Sequence, residues 1–222
     1  MRETGSDETV VPVTHVDSYA DPVVKKLMHE YKFSTGWSER HMAAHRLEKT
    51  LTDICIDTMT KPAARTGGGR TVVVFTCPPS TMHARKEKLE DSMWLLLRRC
   101  GRSMPFYFNA ASNKPAVYTR VFAIKSDFLL SRRAQHIGGS RKSRTANIHD
   151  RYAIRLTFKV HLSSMIRGCE GVRHISFRII DDVASTGGTL LACSETLQAY
   201  MQILQRKNPR LSFDIGIFSI AH

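Results

Sequence analysis

The chain has no two cysteines spaced as a C-x-x-C pair. Its five, Cys55, Cys77, Cys100, Cys169 and Cys193, are scattered and odd in number. That argues against a disulfide framework and against a zinc ribbon, and leaves reduced, partly buried thiols as the expectation. No apolar run approaches the roughly 20 residues that a bilayer-spanning helix needs. Residues 1–8 are polar and acidic, without the basic start and apolar stretch of a secretory signal. The expected address is the cytoplasm, with no membrane partner. Tryptophan is scarce, and Trp37 and Trp94 stand too far apart to form a base-stacking platform. Trp94 falls on an apolar helix stripe, where a core position is expected. Acids are also few, 20 against 33 Lys and Arg, for a net charge of +13. Such a surface attracts polyanions, phosphorylated metabolites or nucleic acid, without choosing between them.

The chain does carry enough apolar material for a core, 42% of 222 residues. Val24, Leu27, Met28 and Tyr31 recur on one face, predicting a helix over 21–31. Leu47, Leu51, Ile54 and Cys55 predict a second over 38–59, with Ser38 as its N-cap. Pro62 and Gly67-Gly68-Gly69 stop it, ahead of the continuous β-branched run 71–75, the pattern of a strand buried on both faces. A helix carrying Leu89, Met93, Leu96 and Leu97 follows. Strands are expected over 117–124, 152–160, 175–180 and 213–220, and a helix over 189–205. Strands alternating with helices predict an α/β fold, a mostly parallel central sheet flanked by helices. Residues 1–18 read as a tail or edge strand and residues 19–222 as one domain. A basic segment holding Arg133, Arg141, Lys142 and Arg144 lies between Arg132 and Arg155. With Gly138, Gly139 and few apolar residues it reads as a mobile loop, solvated or anion-binding.

The most informative segment is Ile179-Ile180-Asp181-Asp182-Val183-Ala184-Ser185-Thr186-Gly187-Gly188-Thr189-Leu190. An apolar strand carries two adjacent acids to its end, and a Ser/Thr/Gly loop turns into a helix. Gly187 and Gly188 allow close backbone approach to an anion. The amides and dipole of a helix start form a phosphate cradle, to which Ser185, Thr186 and Thr189 add hydroxyl donors. Carboxylates repel phosphate, so Asp181 and Asp182 suit sugar hydroxyls or a hard cation such as Mg2+. Ribose 5-phosphate satisfies both halves of the segment.

The segment resembles the phosphoribosyl pyrophosphate (PRPP) signature of type I phosphoribosyltransferases. That resemblance implies a 5-phosphate site at Ser185, Thr186, Gly187, Gly188 and Thr189, and ribose contacts from Asp181 and Asp182. Tyr19-Ala20-Asp21-Pro22-Val23-Val24-Lys25 running on to Tyr31-Lys32-Phe33 is similar to the opening of the competence protein F (ComF) family. Gln135, Arg144 and Asn147, followed by Tyr152, resemble its flexible catalytic-type loop, and 217–222 its closing strand. The chain departs from that family twice. It lacks the N-terminal zinc-binding cysteines. It also reads Arg85-Lys86-Glu87-Lys88 where an Arg-Gly-aromatic segment is usual, so Pro78, Pro79, Ser80, Thr81 and Arg85 stand as the pyrophosphate-loop candidates without a glycine.

The resemblance implies transfer of a phosphoribosyl group from PRPP, bound with Mg2+, to a nucleobase-like nitrogen acceptor, with release of pyrophosphate. The alternative is a non-catalytic protein that senses PRPP or a nucleotide, or that handles single-stranded DNA during uptake. A homodimer is left open. Other signals are weaker. His41 and His45 are four apart on a helix, but without the glutamate of a metalloprotease or a third ligand they are expected to be exposed. Cys77 beside Pro78 has no identifiable base to make it a nucleophile. The Gly67–Gly69 run precedes its strand, the wrong end of a sheet for phosphate.

Overall fold

The β-branched run of the first half forms a strand with six consecutive buried residues, as a strand covered on both faces requires. The computed structural model describes residues 14–17, 21–34, 36–60, 70–79, 92–108, 116–125, 151–168, 172–183 and 187–221. In chain order the elements are β1 (Thr14–Asp17), α1 (Pro22–Phe33), α2 (Trp37–Thr60), β2 (Arg70–Thr76), α3 (Ser92–Phe108), β3 (Ala116–Tyr118), β4 (Phe122–Ile124), β5 (Tyr152–Ile154), α4 (Leu156–Gly168), β6 (Val172–Val183), α5 (Gly188–Lys207) and β7 (Ser212–Ala221).

Five strands form a parallel sheet in the order β1-β7-β6-β2-β3. The chain is therefore α/β with a mostly parallel central sheet flanked by helices, and β1 pairs with β7 at one edge. Each face carries its own core, because successive strand residues point to opposite sides. Ile175, Phe177 and Ile179 of β6 pack with Leu190, Cys193, Leu197 and Met201 of α5 and with Phe158 and Leu162 of α4. Ile180 and Ile220 face the other way, towards Met28, Tyr31, Leu47, Leu51, Met93, Leu96 and Leu97 of α1, α2 and α3. Cys55, Cys77, Cys100 and Cys193 are all buried thiols.

On that second face β6 and β7 also carry a polar network. His174 Nε2 meets Asp214 Oδ2 at 2.6 Å and its Nδ1 meets Ser212 Oγ at 2.8 Å. Ser176 Oγ donates to both Asp214 oxygens, at 2.8 and 3.0 Å, and Arg178 Nη1 donates to Asp214 Oδ1. Burial alone would raise the Asp214 pKa; the bonds from His174, Arg178 and Ser176 overturn that and hold it at about 2.

The structure departs from the sequence expectation in three places. The strand expected over 117–124 is two strands: β3 joins the main sheet, while β4 pairs antiparallel with β5 in a separate ribbon. The buried Thr76 hydroxyl, accepting from Val121 N at 3.2 Å, fixes the chain where it leaves β3. The strand expected over 152–160 ends at Ile154, and α4 begins at Leu156. Thr157, Phe158 and Val160 suggest β structure one at a time, but Phe158 and Leu162 are buried while Val160 between them is 62% exposed, which fits the four-residue spacing of a helix, whereas a strand would put all three on one face. Ser38 is not an N-cap, because Arg40 N already bonds to Gly36 O and Ser38 lies within the helix. The helix expected to carry Leu89 is described from Ser92 onward, and Leu89 itself lies outside the described residues.

Candidate functional site

The order β1-β7-β6-β2-β3 places the topological switch of the sheet between β2 and β6. From β2 the chain proceeds to β3 on one side, and from β6 it proceeds to β7 on the other. The next described helices after these two strands, α3 and α5, pack on opposite faces of the sheet, and such a switch point is the customary ligand position in open α/β sheets. β2 and β6 are in parallel register, with Thr76 opposite Ile179. The chain leaving β2 is Cys77-Pro78-Pro79, and β6 runs on past that level through Asp181 and Asp182 to Val183. The acid pair and the first part of the pyrophosphate-loop candidate are thus brought to the same rim.

The two acids point to opposite faces. Asp181 lies on the α5 side, where its charge acts on Tyr152 and Cys193. Its Oδ1 also accepts from Asp182 N at 2.9 Å, which turns the carboxylate back towards its own strand. Asp182 lies on the α1 side and forms an ion pair with Lys32 Nζ. Lys32 is in the last turn of α1, whose end is anchored by Tyr31: the hydroxyl of this buried residue donates to Ser92 O at 2.6 Å.

Beyond β6, Gly187 sits at φ 67°, a left-handed conformation for which glycine carries no penalty, and is the N-cap of α5. This N-cap residue itself makes no side-chain cap hydrogen bond. Its first bond runs from Leu191 N to Gly187 O at 2.9 Å, so the amides of Thr189 and Leu190 have no carbonyl four residues back within the helix. The helix start and Asp181 share a neighbour in Tyr152 of β5. Burial, followed by the Cys193 and Asp181 charges, raises the Tyr152 hydroxyl to about 12 against the opposing pull of Arg151 and a side-chain hydrogen bond with Thr189. Arg151 stacks over the Tyr152 ring with its guanidinium 6.0 Å from the centroid, and its buried Nε has no hydrogen-bond partner. Arg120 lies 5.1 Å over the ring of Trp94, itself packed against the second core.

Asp181, Asp182, Gly187, Gly188 and Thr189 are therefore gathered at one end of β6 and α5, with Pro78 and Pro79 at the adjoining strand end. Ser185, Thr186, Ser80, Thr81, Arg85, Gln135, Arg144 and Asn147 lie outside the described residues. His41 and His45 are exposed on α2. Cys77 is buried. Among the described residues no group of three or more His, Cys, Asp or Glu forms a metal cage, and no helix is long and apolar enough to cross a membrane. Two carboxylates, one of them paired with a lysine, fit a cation that arrives on a phosphorylated ligand better than one held by the protein alone. Sequence reasoning did not single out Lys32 or Arg151 as neighbours of the acids. Lys32 lies in the Tyr31-Lys32-Phe33 stretch and Arg151 within the basic segment, but neither pattern points to a partner so distant in sequence.

No protein-family model matches the chain, and no curated protein or solved structure matches it.

Proposed function

We propose that this chain is a PRPP-binding, phosphoribosyltransferase-like protein with the type I phosphoribosyltransferase fold, related to the ComF family. The observation that carries the reading is the coincidence of two independent features: the acid-pair segment 179–190, singled out by its chemistry, adjoins the switch point of the sheet, where ligands of such folds bind. The start of α5 suits the 5-phosphate, and Asp181 and Asp182 suit the ribose hydroxyls. Arg151 adds positive charge beside the helix start.

In the reaction, a nitrogen of the acceptor base forms a bond to the anomeric carbon of PRPP while the bond from that carbon to the pyrophosphate oxygen breaks. Mg2+ arriving with the substrate would supply charge neutralisation to the leaving pyrophosphate. The acids hold the sugar as positive charge develops at its ring oxygen and anomeric carbon, and their own negative charge favours that development. The segment containing Gln135, Arg144 and Asn147 is assigned the role of a lid. The protein is placed in the cytoplasm.

The test is release of pyrophosphate from PRPP, measured with a panel of nucleobases with and without Mg2+. Base- and metal-dependent release supports the enzyme. A second reading, a PRPP or nucleotide sensor that contacts single-stranded DNA, is favoured by the +13 charge and by the absence of a glycine from the Cys77-Pro78-Pro79-Ser80-Thr81 stretch. It predicts no turnover, and salt-sensitive DNA binding that is lost on neutralising Arg141, Lys142 and Arg144.

A further inference from the structure

The two acids at the end of β6 do not converge on one point. Asp181 is turned towards its own backbone on the α5 face, and Asp182 is held from the α1 face by Lys32. Both partners of that ion pair are mostly shielded, with side-chain exposures of 28% for Lys32 and 18% for Asp182. The lysine is not carried by a loose segment. Tyr31, the preceding residue, is bonded to Ser92 O, and Ser34 N closes the helix on Glu30 O at 3.1 Å. Ser34 Oγ then accepts from Gly36 N at 3.1 Å, fixing the turn into α2.

An ammonium in contact with a carboxylate opposes a second cation at the same oxygens, and a divalent ion most of all. It does not exhaust the carboxylate, which has about four lone-pair sites. A neutral hydroxyl that donates a hydrogen bond can still be accepted. The pair therefore has a chemical preference: alcohols over metal ions.

Resting on the PRPP reading above, we propose that Lys32 is a positioning residue that commits Asp182 to a sugar hydroxyl and denies it to a divalent cation. The metal of the substrate complex then belongs to the pyrophosphate end, and the acid pair remains a sugar clamp. Lys32 acts through Asp182, not on the reacting atoms.

The test uses the full chain with two probes, ribose 5-phosphate and Mn2+, each titrated alone by calorimetry against wild type, Lys32→Ala, Lys32→Gln and Lys32→Arg. The expected result is opposite shifts. Ribose 5-phosphate binding weakens about tenfold in the Ala and Gln variants as Asp182 loses its anchor, while Mn2+ binding tightens severalfold because the carboxylates are released to a cation. Lys32→Arg restores both towards wild type. A merely structural role for Lys32 would weaken both ligands together, and that outcome overturns the proposal. So does ribose 5-phosphate binding unchanged in Lys32→Ala. Failure of wild type itself to bind ribose 5-phosphate sinks the PRPP reading and this inference with it, so the two failures are told apart by the wild-type titration.

Discussion

Replacing Asp214 by Asn tests the polar network between β6 and β7. The carboxylate accepts from His174, Ser176 and Arg178, and the amide keeps one acceptor oxygen while presenting an NH2 group to donors. Removing one partner of a well-buried ion pair costs about 3–5 kcal/mol. The Asp214 side chain is 35% exposed, so solvent replaces part of what is lost, and we expect about 2 kcal/mol. For a chain of this length that lowers Tm by about 4–8 °C. The pH dependence gives the sharper signature. The folded-state pKa, about 2, lies below the ordinary 3.8, so the carboxylate's contribution is fully present above about pH 4 and is lost as pH falls towards 2. The stability gap between wild type and Asp214→Asn, measured by urea unfolding with unchanged m, should therefore be widest at neutral pH and shrink between pH 4 and pH 2. A gap of equal size at pH 6 and pH 3 would refute the electrostatic account, and no gap at any pH would refute the network.

Two further substitutions probe backbone and packing. Gly187→Ala forces a Cβ onto a residue at φ 67° with nothing within 4 Å of the new atom, so the cost is conformational alone, about 1–2 kcal/mol, and thermal unfolding that shows no loss would contradict the left-handed N-cap. Gly101→Ala places a methyl 2.7 Å from the Tyr118 ring, which is stacked on Phe75 with centroids 5.0 Å apart. Overpacking of about 1–3 kcal/mol should outweigh the helix propensity gained, giving a net loss of stability by chemical denaturation, whereas a stabilised variant would mean that α3 does not approach β3 so closely.

The parallel sheet was legible because its central strands carry local signals strong enough to override context. The run 71–75 has no polar alternation to confuse it with a half-exposed strand, and Ile175–Ile180 leads straight into a loop whose glycines and hydroxyls mark a helix start. The same clarity placed the acid pair and Gly187 to Thr189 together. What stayed hidden depends on contacts between distant residues. The break between β3 and β4 falls at Thr119-Arg120-Val121, which contains no Gly or Pro, and it is fixed instead by Thr76. Helix α4 begins with residues of good β propensity, and only the burial of Phe158 and Leu162 around an exposed Val160 marks it as helix. The pairing of Lys32 with Asp182 joins residues 150 positions apart, and no spacing rule reaches that far.

The central claim is that the acids ending β6 and the start of α5 together bind the sugar phosphate of PRPP. The most direct measurement is calorimetric titration of Mg2+–PRPP into wild type and into the double variant Asp181→Asn, Asp182→Asn, with thermal unfolding to verify that both are folded. The account predicts saturable binding to wild type and none to the folded double variant. Equal affinity in the two proteins would contradict it.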